Sequence, residues 1–397
     1  MNGRRLVAAM SAAQLGSLLP HVALPSVLPT HLIPEWGLTY SEGGLMAASY
    51  AAGYMFAVPV LTTLTDRVDA RWILFWGSIL SGLATVLFGL FATGLVSAIF
   101  LWGLAGIGFA GAYMPGLKAL TDRLGSGDTS RSVTLYTASF SVGVGLSFLV
   151  SQVIAERWGW RAAFLVTGLG PAAMAAVALM LRPVPPPPRQ GALLDFRPVL
   201  RNRTALGYIL GYGAHCFELY GMRTWIVAFW GFVAARAGGA TSIDAITVSV
   251  VVTFLSLPAS ILGNEAALRY GRHRAITIVM LASAVVGAAI GLTAGLSPWL
   301  TLILLLCYAF TVPADSGALT SGMSAAAEPR YRGATLALHS TVGFGLSAFG
   351  GWAVGAAIDA AGGPLSDTGW TAAFLVMAAG ILLGPLALWW SREKAAA

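Results

Sequence analysis

One apolar stretch of this chain concentrates side chains that could carry protons and hold an anion. His215, Glu218 and Arg223 interrupt the run 204–232. Residues three apart share a helix face, so His215 and Glu218 point the same way, and Arg223 lies about a turn and a half further along. A carboxyl group resists ionisation in lipid and is helped to ionise by a nearby cation, so a Glu set between lipid and His or Arg can titrate near neutral pH. Arg223 presents forked donors that fit a carboxylate or phosphate. The expected chemistry is proton uptake and release at Glu218, tuned by His215, beside an anion at Arg223. The same groups could instead form a satisfied polar cluster, with Arg223 snorkelling to the outer interface.

Three further titratable residues lie in apolar runs. Asp315 follows Pro313 and is placed in the last third of its helix, where it could gate, transfer protons or make an ion pair near the helix end. His21 sits between Pro20 and Pro25, which leave backbone carbonyls free to partner it, and His339 could be a packing donor. A charge near the bilayer centre is costly, so such residues usually face a cavity and act there. The substrate and proton candidates are thus Glu218, His215, Arg223, Asp315, His21 and His339. Tyr208, Tyr212, Tyr220 and Trp225 could line a cavity or serve as core. No metal is expected: His215, Cys216, Glu218 and Met222 share a helix, but Cys216 projects about 100° from His215 and no second ligand cluster supports it.

The elements that hold these residues must be membrane helices. The 397 residues are 57% hydrophobic and only 10% charged, against about a quarter charged in soluble domains. A helix crossing a bilayer needs about 20 mostly apolar residues. Such runs occur at 6–34, 43–65, 72–117 (two helices turning at Ala92-Thr93-Gly94), 132–155 and 162–181. They recur at 204–232, 245–264, 275–314 (two helices turning near Gly295), 333–358 and 368–391, which makes twelve transmembrane helices. The basic start Met1 to Arg5 is followed by no cleavage pattern, so the first helix is expected to stay as an anchor. Cys216 and Cys307 form no spacing pattern for disulfide or metal chemistry.

The net charge of +7 does not imply nucleic acid, because the basic residues come in short clusters between apolar runs. With a cytoplasmic N-terminus, all of the 23 Lys and Arg residues except Arg157, Arg161, Arg223 and Arg236 fall inside. That imbalance predicts a multi-pass protein of the cell inner (plasma) membrane with both termini cytoplasmic.

The chain reads as two related halves, 1–181 and 204–397, joined by a cytoplasmic linker at 182–203. The linker opens with Arg182-Pro-Val-Pro-Pro-Pro-Pro-Arg-Gln, a run that cannot be helix and should form a semi-rigid polyproline spacer. Trp160-Arg-Ala-Ala-Phe-Leu-Val recurs as Trp370-Thr-Ala-Ala-Phe-Leu-Val, and Val142-Gly-Val-Gly-Leu-Ser as Val342-Gly-Phe-Gly-Leu-Ser. Ala119-Leu-Thr recurs as Ala318-Leu-Thr, in the same order. Parallel six-helix repeats describe one known transporter architecture.

The loop after the second helix reads Thr62-Thr-Leu-Thr-Asp66-Arg67-Val-Asp69-Ala-Arg71, and the loop after the eighth reads Asn264-Glu-Ala-Ala-Leu268-Arg269-Tyr-Gly271-Arg272-His273-Arg274. Both resemble the signature loop of the major facilitator superfamily, Gly-x-Leu-Ala-Asp-Arg-x-Gly-Arg-Lys/Arg. The resemblance implies an all-α membrane fold of two pseudo-symmetric six-helix bundles and a secondary transporter. It further implies that Asp66, Arg67 and Arg71, with Arg269 and Arg272 in the second half, form a cytoplasmic gate. Thr62, Asp69 and Leu268 depart from the pattern. The family's drug/proton antiporters usually carry an Arg in helix four and Gly-Pro in helix five, where this chain has Trp102 and Gly143-Val-Gly145.

No nucleotide-binding loop, catalytic triad or ligand motif is present, so no enzyme activity and no cofactor are expected. The expected partners are a small-molecule substrate, protons as coupling ion and the lipid bilayer, with the chain a monomer. The reading is a proton-coupled transporter of a small molecule, an organic anion on the strength of Arg223. Proton-driven efflux of a drug or metabolite, or a non-transporting membrane sensor of the same fold, are the alternatives.

Overall fold

The computed structural model describes residues 3–124, 130–185, 196–238, 241–328 and 331–392. Residues 186–195 of the expected linker lie outside them. Every regular element among the described residues is helical. Sixteen α-helices run in order: α1 Gly3–Ser17, α2 Ala23–Val27, α3 Ile33–Trp36, α4 Tyr40–Leu64, α5 Ala70–Phe91, α6 Leu95–Thr121, α7 Ser130–Leu169 and α8 Pro171–Met180. They continue as α9 Arg197–Arg201, α10 Arg203–Arg236, α11 Ala245–Tyr270, α12 Arg272–Thr293, α13 Pro298–Ala314, α14 Ser316–Ala326, α15 Arg332–Ala360 and α16 Asp367–Ser391.

Several breaks divide single passes, and one long helix holds two. Gly159, at φ 84°, folds α7 into two apolar arms, a conformation that glycine adopts without strain. Grouped across these breaks, the described helices are consistent with twelve passes. Among the described residues, nine stretches are long and apolar enough to cross a membrane. The two passes outside that set are the broken first one and α10, which carries His215, Glu218 and Arg223. The polar chemistry of the site itself lowers the apolar signal of its helix. Large apolar side chains such as Phe56, Phe100, Val285 and Leu383 stand exposed on the outer faces, as lipid rather than water requires.

Contacts divide the chain into two compact units, Met1–His31 with Ser49–Leu194, and Leu32–Ala48 with Asp195–Ala397. In the first unit, α5 and α6 approach until a Cβ on Gly77 would lie 2.6 Å from the Gly111 carbonyl carbon. Small residues are what permit such backbone contact in membranes. The break in the first pass, which holds His21, is stitched by Ser147 of α7. Its hydroxyl accepts from the Val22 N–H at 3.1 Å and donates to the Leu19 carbonyl at 2.6 Å, so the broken backbone is not left bare in a medium without water.

In the second unit, α15 packs on α10 at a glycine. A Cβ on Gly350 would collide with the Phe217 carbonyl, one residue before Glu218. Asn202 caps α10 by accepting from the Ala205 N–H at 3.0 Å. Asp359 of α15 takes the first amides of α4, from Tyr40 at 3.1 Å and Ser41 at 2.6 Å. Tyr40 then stacks on Trp225 with ring centroids 4.7 Å apart.

Candidate functional site

The tenth pass decides where Asp315 goes. Pro313 removes a backbone donor, α13 ends at Ala314, and α14 carries the pass on to Ala326. Asp315 therefore sits at an internal break, not in the last third of the pass near its end. The proline interrupts the helix without terminating the membrane segment, which corrects the position read from sequence.

At that break the Asp315 Oδ1 lies 2.6 Å from His215 Nδ1, with both side chains at most 2% exposed. The contact is an ion pair when the imidazole carries its second proton. One turn earlier on α10, Tyr212 stacks on His215 (centroids 5.6 Å) and on His339 of α15 (3.8 Å, 22° between planes). His339 Nε2 meets the Thr320 hydroxyl of α14 at 3.4 Å, and its Nδ1 is buried with no partner among the described residues.

Glu218 is fully buried. Its Oε1 accepts from the Ser283 hydroxyl of α12 and the Tyr308 hydroxyl of α13, each at 2.9 Å. Its Oε2 meets no donor among the described residues. Asp315 is buried in the same unit at 2% exposure. Two carboxyl groups thus face one low-dielectric interior, where like charges repel strongly.

Arg223 lies inside the bundle at 6% exposure, so it does not snorkel. Its guanidinium stands 5.6 Å from the centre of the Tyr220 ring. No carboxylate among the described residues pairs with it. His215, Glu218, Arg223, Asp315 and His339 are thus all buried within the second unit. Trp225 is spent on packing, donating to the Gly351 carbonyl at 2.8 Å.

His21 lies in the first unit in a different setting. The rings of Tyr50, Phe109 and Phe140 surround it with centroids 5.1 to 5.4 Å away. Nearby, Tyr136 donates to Gln14 Oε1 at 2.8 Å.

The loop after α4 also differs from expectation. Its ion pairs run through Asp69, whereas Asp66 and Arg67 stand exposed. Arg123 at the end of α6 donates to both Asp69 oxygens at 2.7 and 3.0 Å, and Arg71 lies 3.3 Å away. Asp69 also caps α5 through the Arg71 N–H at 3.0 Å and accepts the Val184 N–H at 2.9 Å. Burial alone would raise the Asp69 carboxyl, but the Arg123 hydrogen bond and the two amides hold it below the usual aspartate value. Asp66, exposed at its surface yet partly shielded by its neighbours, is raised by that shielding first, with Lys118 opposing and Asp122 adding to it. The difference has a physical cause: Asp69 directly precedes α5 and so gains amides as well as cations. In the second unit, Arg269 lines a surface groove with Glu265 and Tyr270, and the Nε of Arg272 is buried without a partner among the described residues.

Sequence reasoning passed over Asp69, Arg123, Ser283 and Tyr308. An Asp directly before an apolar helix is a capping signal, so Asp69 was within reach. Ser283 and Tyr308 are single polar residues in apolar runs, and nothing local distinguishes them.

Among the described residues, an all-helical bundle with apolar outer faces and buried titratable groups defines a multi-pass membrane fold. Residues 9–351 match the sequence pattern of the Major Facilitator Superfamily, and the chain belongs to that family. A bacterial homologue of the human lysosomal transporter Spinster, solved in an inward-facing and unoccupied conformation, superposes with a TM-score of 0.75 at 18% identity, over 99% of each chain. The nucleoside transporter NupG superposes with a TM-score of 0.74 at 15% identity, over 99% of this chain and 100% of that one. In sequence, the membrane sensor protein UhpC of Salmonella typhimurium is 30% identical over 150 residues, 38% of this chain and 32% of that protein. Human protein spinster homolog 1 is 24% identical over 247 residues, 56% of this chain and 45% of that protein. The D-galactonate transporter of Escherichia coli is 30% identical over 145 residues, 36% of this chain and 33% of that protein. The matched segments span less than half the length of each of these three relatives.

Proposed function

We propose that the chain is a secondary transporter that moves a small organic anion by alternating access, coupled to protons, in the cell inner membrane with both termini cytoplasmic. The observation that carries the reading is Glu218, a fully buried carboxyl group with one oxygen held by two neutral hydroxyls and the other unpartnered among the described residues. Oε2 is the atom at which a proton is gained and lost. The His215–Asp315 pair lies within electrostatic reach, so a change of protonation at one carboxyl group alters the balance at the other. Arg223 supplies the anion site, because its buried guanidinium, hydrogen-bonded with Tyr220, meets no carboxylate among the described residues. The Asp69–Arg123 pair, with Arg71, is the carboxylate-centred tie of the predicted cytoplasmic face in the first unit.

Glu218→Gln in proteoliposomes provides the test. The amide oxygen can still accept from Ser283 and Tyr308, so the fold is kept while the titrating group is lost. Uptake driven by a proton gradient is expected to disappear, with substrate counterflow retained. Undiminished gradient-driven uptake in that variant sinks the coupling.

A second reading follows from the likeness to a membrane sensor. A sensor would bind the anion at Arg223 yet show no counterflow in the same proteoliposomes.

A further inference from the structure

The predicted cytoplasmic end of the second unit holds a cationic cluster that the transport reading leaves unused. The starts of α10 and α12 and the ends of α14 and α16 meet there. A Cβ on Gly207 would collide with the Ser391 side chain, and one on Gly322 would lie 2.5 Å from the Tyr208 ring and 2.8 Å from Arg272 Cδ. These close approaches bring Arg272, His273 and Arg392 to one place. The Tyr208 hydroxyl sits 3.2 Å from His273 Nδ1, and the Arg272 guanidinium lies against the same hydroxyl. Arg392, the residue after the last turn of α16, is near enough to act on the His273 ring.

Part of the donor set of this cluster is unspent. Arg272 Nε and His273 Nε2 have no hydrogen-bond partner, and no carboxylate among the described residues pairs with Arg272, His273 or Arg392. Among the described residues the cluster gathers cations without an acid, which is costly, since like charges repel. The arrangement is the complement of an anion.

Its surroundings say which anion. Beside the cluster, Arg203 lies 4.8 Å from the centre of the Trp390 ring, which holds its charge at the rim of α16. Directly along α16, Leu383, Leu386 and Trp389 are 59% exposed or more, so an apolar, lipid-facing strip runs into the cations. Trp at a helix end marks headgroup level. A free phosphate would use the charges and ignore the strip, whereas a phospholipid uses both.

We propose that Arg203, Arg272, His273 and Arg392 bind the phosphate of an anionic phospholipid whose acyl chain lies along the exposed face of α16. Basic pockets between membrane helices on the cytoplasmic side bind anionic headgroups in this manner.

The test uses the full-length protein in neutral detergent, with thermal melting read during titration by phosphatidylglycerol, phosphatidylcholine or inorganic phosphate. Phosphatidylglycerol is expected to raise the melting temperature, and the other two to leave it in place. Each charge removed should weaken apparent binding roughly fivefold, so Arg272→Gln with Arg392→Gln costs about twenty-five-fold. Should that double variant fail to fold, the single exposed-rim variant Arg203→Gln is expected to lose about fivefold by itself. An equal shift from phosphatidylcholine, or undiminished binding of phosphatidylglycerol by the Arg203→Gln or double variant, overturns the site. A shift of the same size with inorganic phosphate alone overturns the lipid as its occupant.

Discussion

The first pass of one unit and the seventh pass of the other each carry a buried histidine, and the two are treated in opposite ways. His21 is enclosed by the rings of Tyr50, Phe109 and Phe140. His215 is paired with Asp315, stacked on Tyr212 and one turn from a buried Glu218. The sequence repeats at Trp160 and Trp370, and at Val142 and Val342, mark the halves as related. Their polar interiors are not. Ionisable chemistry is concentrated in the second unit, while the first offers shape and aromatic surface around a histidine. A duplicated bundle has in this sense divided its labour between the copies.

The contrast can be broken most forcefully at Asp315. Replacing one member of a buried pair leaves the other uncompensated, at a cost of about 3–5 kcal/mol. Asp315→Ala should therefore unfold at markedly lower denaturant or temperature, and the double variant His215→Phe with Asp315→Leu should recover most of that loss. If Asp315→Ala melts with the parent, the pair is not what holds this interior.

His21→Phe is the matching change in the first unit. A ring replaces a ring of similar volume among aromatic neighbours, and such exchanges cost less than about 1.5 kcal/mol. Melting should shift little and proton-driven uptake should persist. Loss of coupling in His21→Phe would show that the titrating chemistry is spread over both units.

The smallest effect concerns Asp69 and acid. Its carboxyl is held below the ordinary aspartate value in the fold, so its contribution to stability is present above about pH 4, the unfolded value, and fades as pH falls through the lower folded value. Asp69→Asn should be less stable than the parent near neutral pH, and the two melting curves should converge in acid. A gap that stays constant down to the lowest pH reached would exclude ionisation of Asp69 as its origin.

Much of this molecule could be read from the chain alone, for reasons that vary from place to place. The turns at Ala92–Gly94 and before Pro298 were legible because small and turn-forming residues interrupt long apolar runs, and the helices end where they do. His215, Glu218 and Arg223 stood out because charged groups are rare in lipid. Asp315 was seen but placed too near a helix end, since a proline can break a pass without finishing it. Asp66 drew attention through its match to a family pattern, while Asp69, the departure from that pattern, makes the ion pair. Ser283 and Tyr308 were hidden for a different cause. Their importance comes from α12 and α13 packing against α10, and that adjacency is a property of the folded bundle, not of any local run of residues.

The interruption at Pro313 has an electrical side. Where α13 stops and α14 starts, a negative helix end and a positive one face each other, and the amides opening the eleven-residue α14 carry about half a positive charge. Asp315, the residue just before this helix, has that partial charge beside it as well as the imidazole. Peptide dipoles survive every side-chain exchange, so scanning mutagenesis will undercount what steadies this carboxylate. Only a change that rejoins the two half-helices would remove the backbone's share.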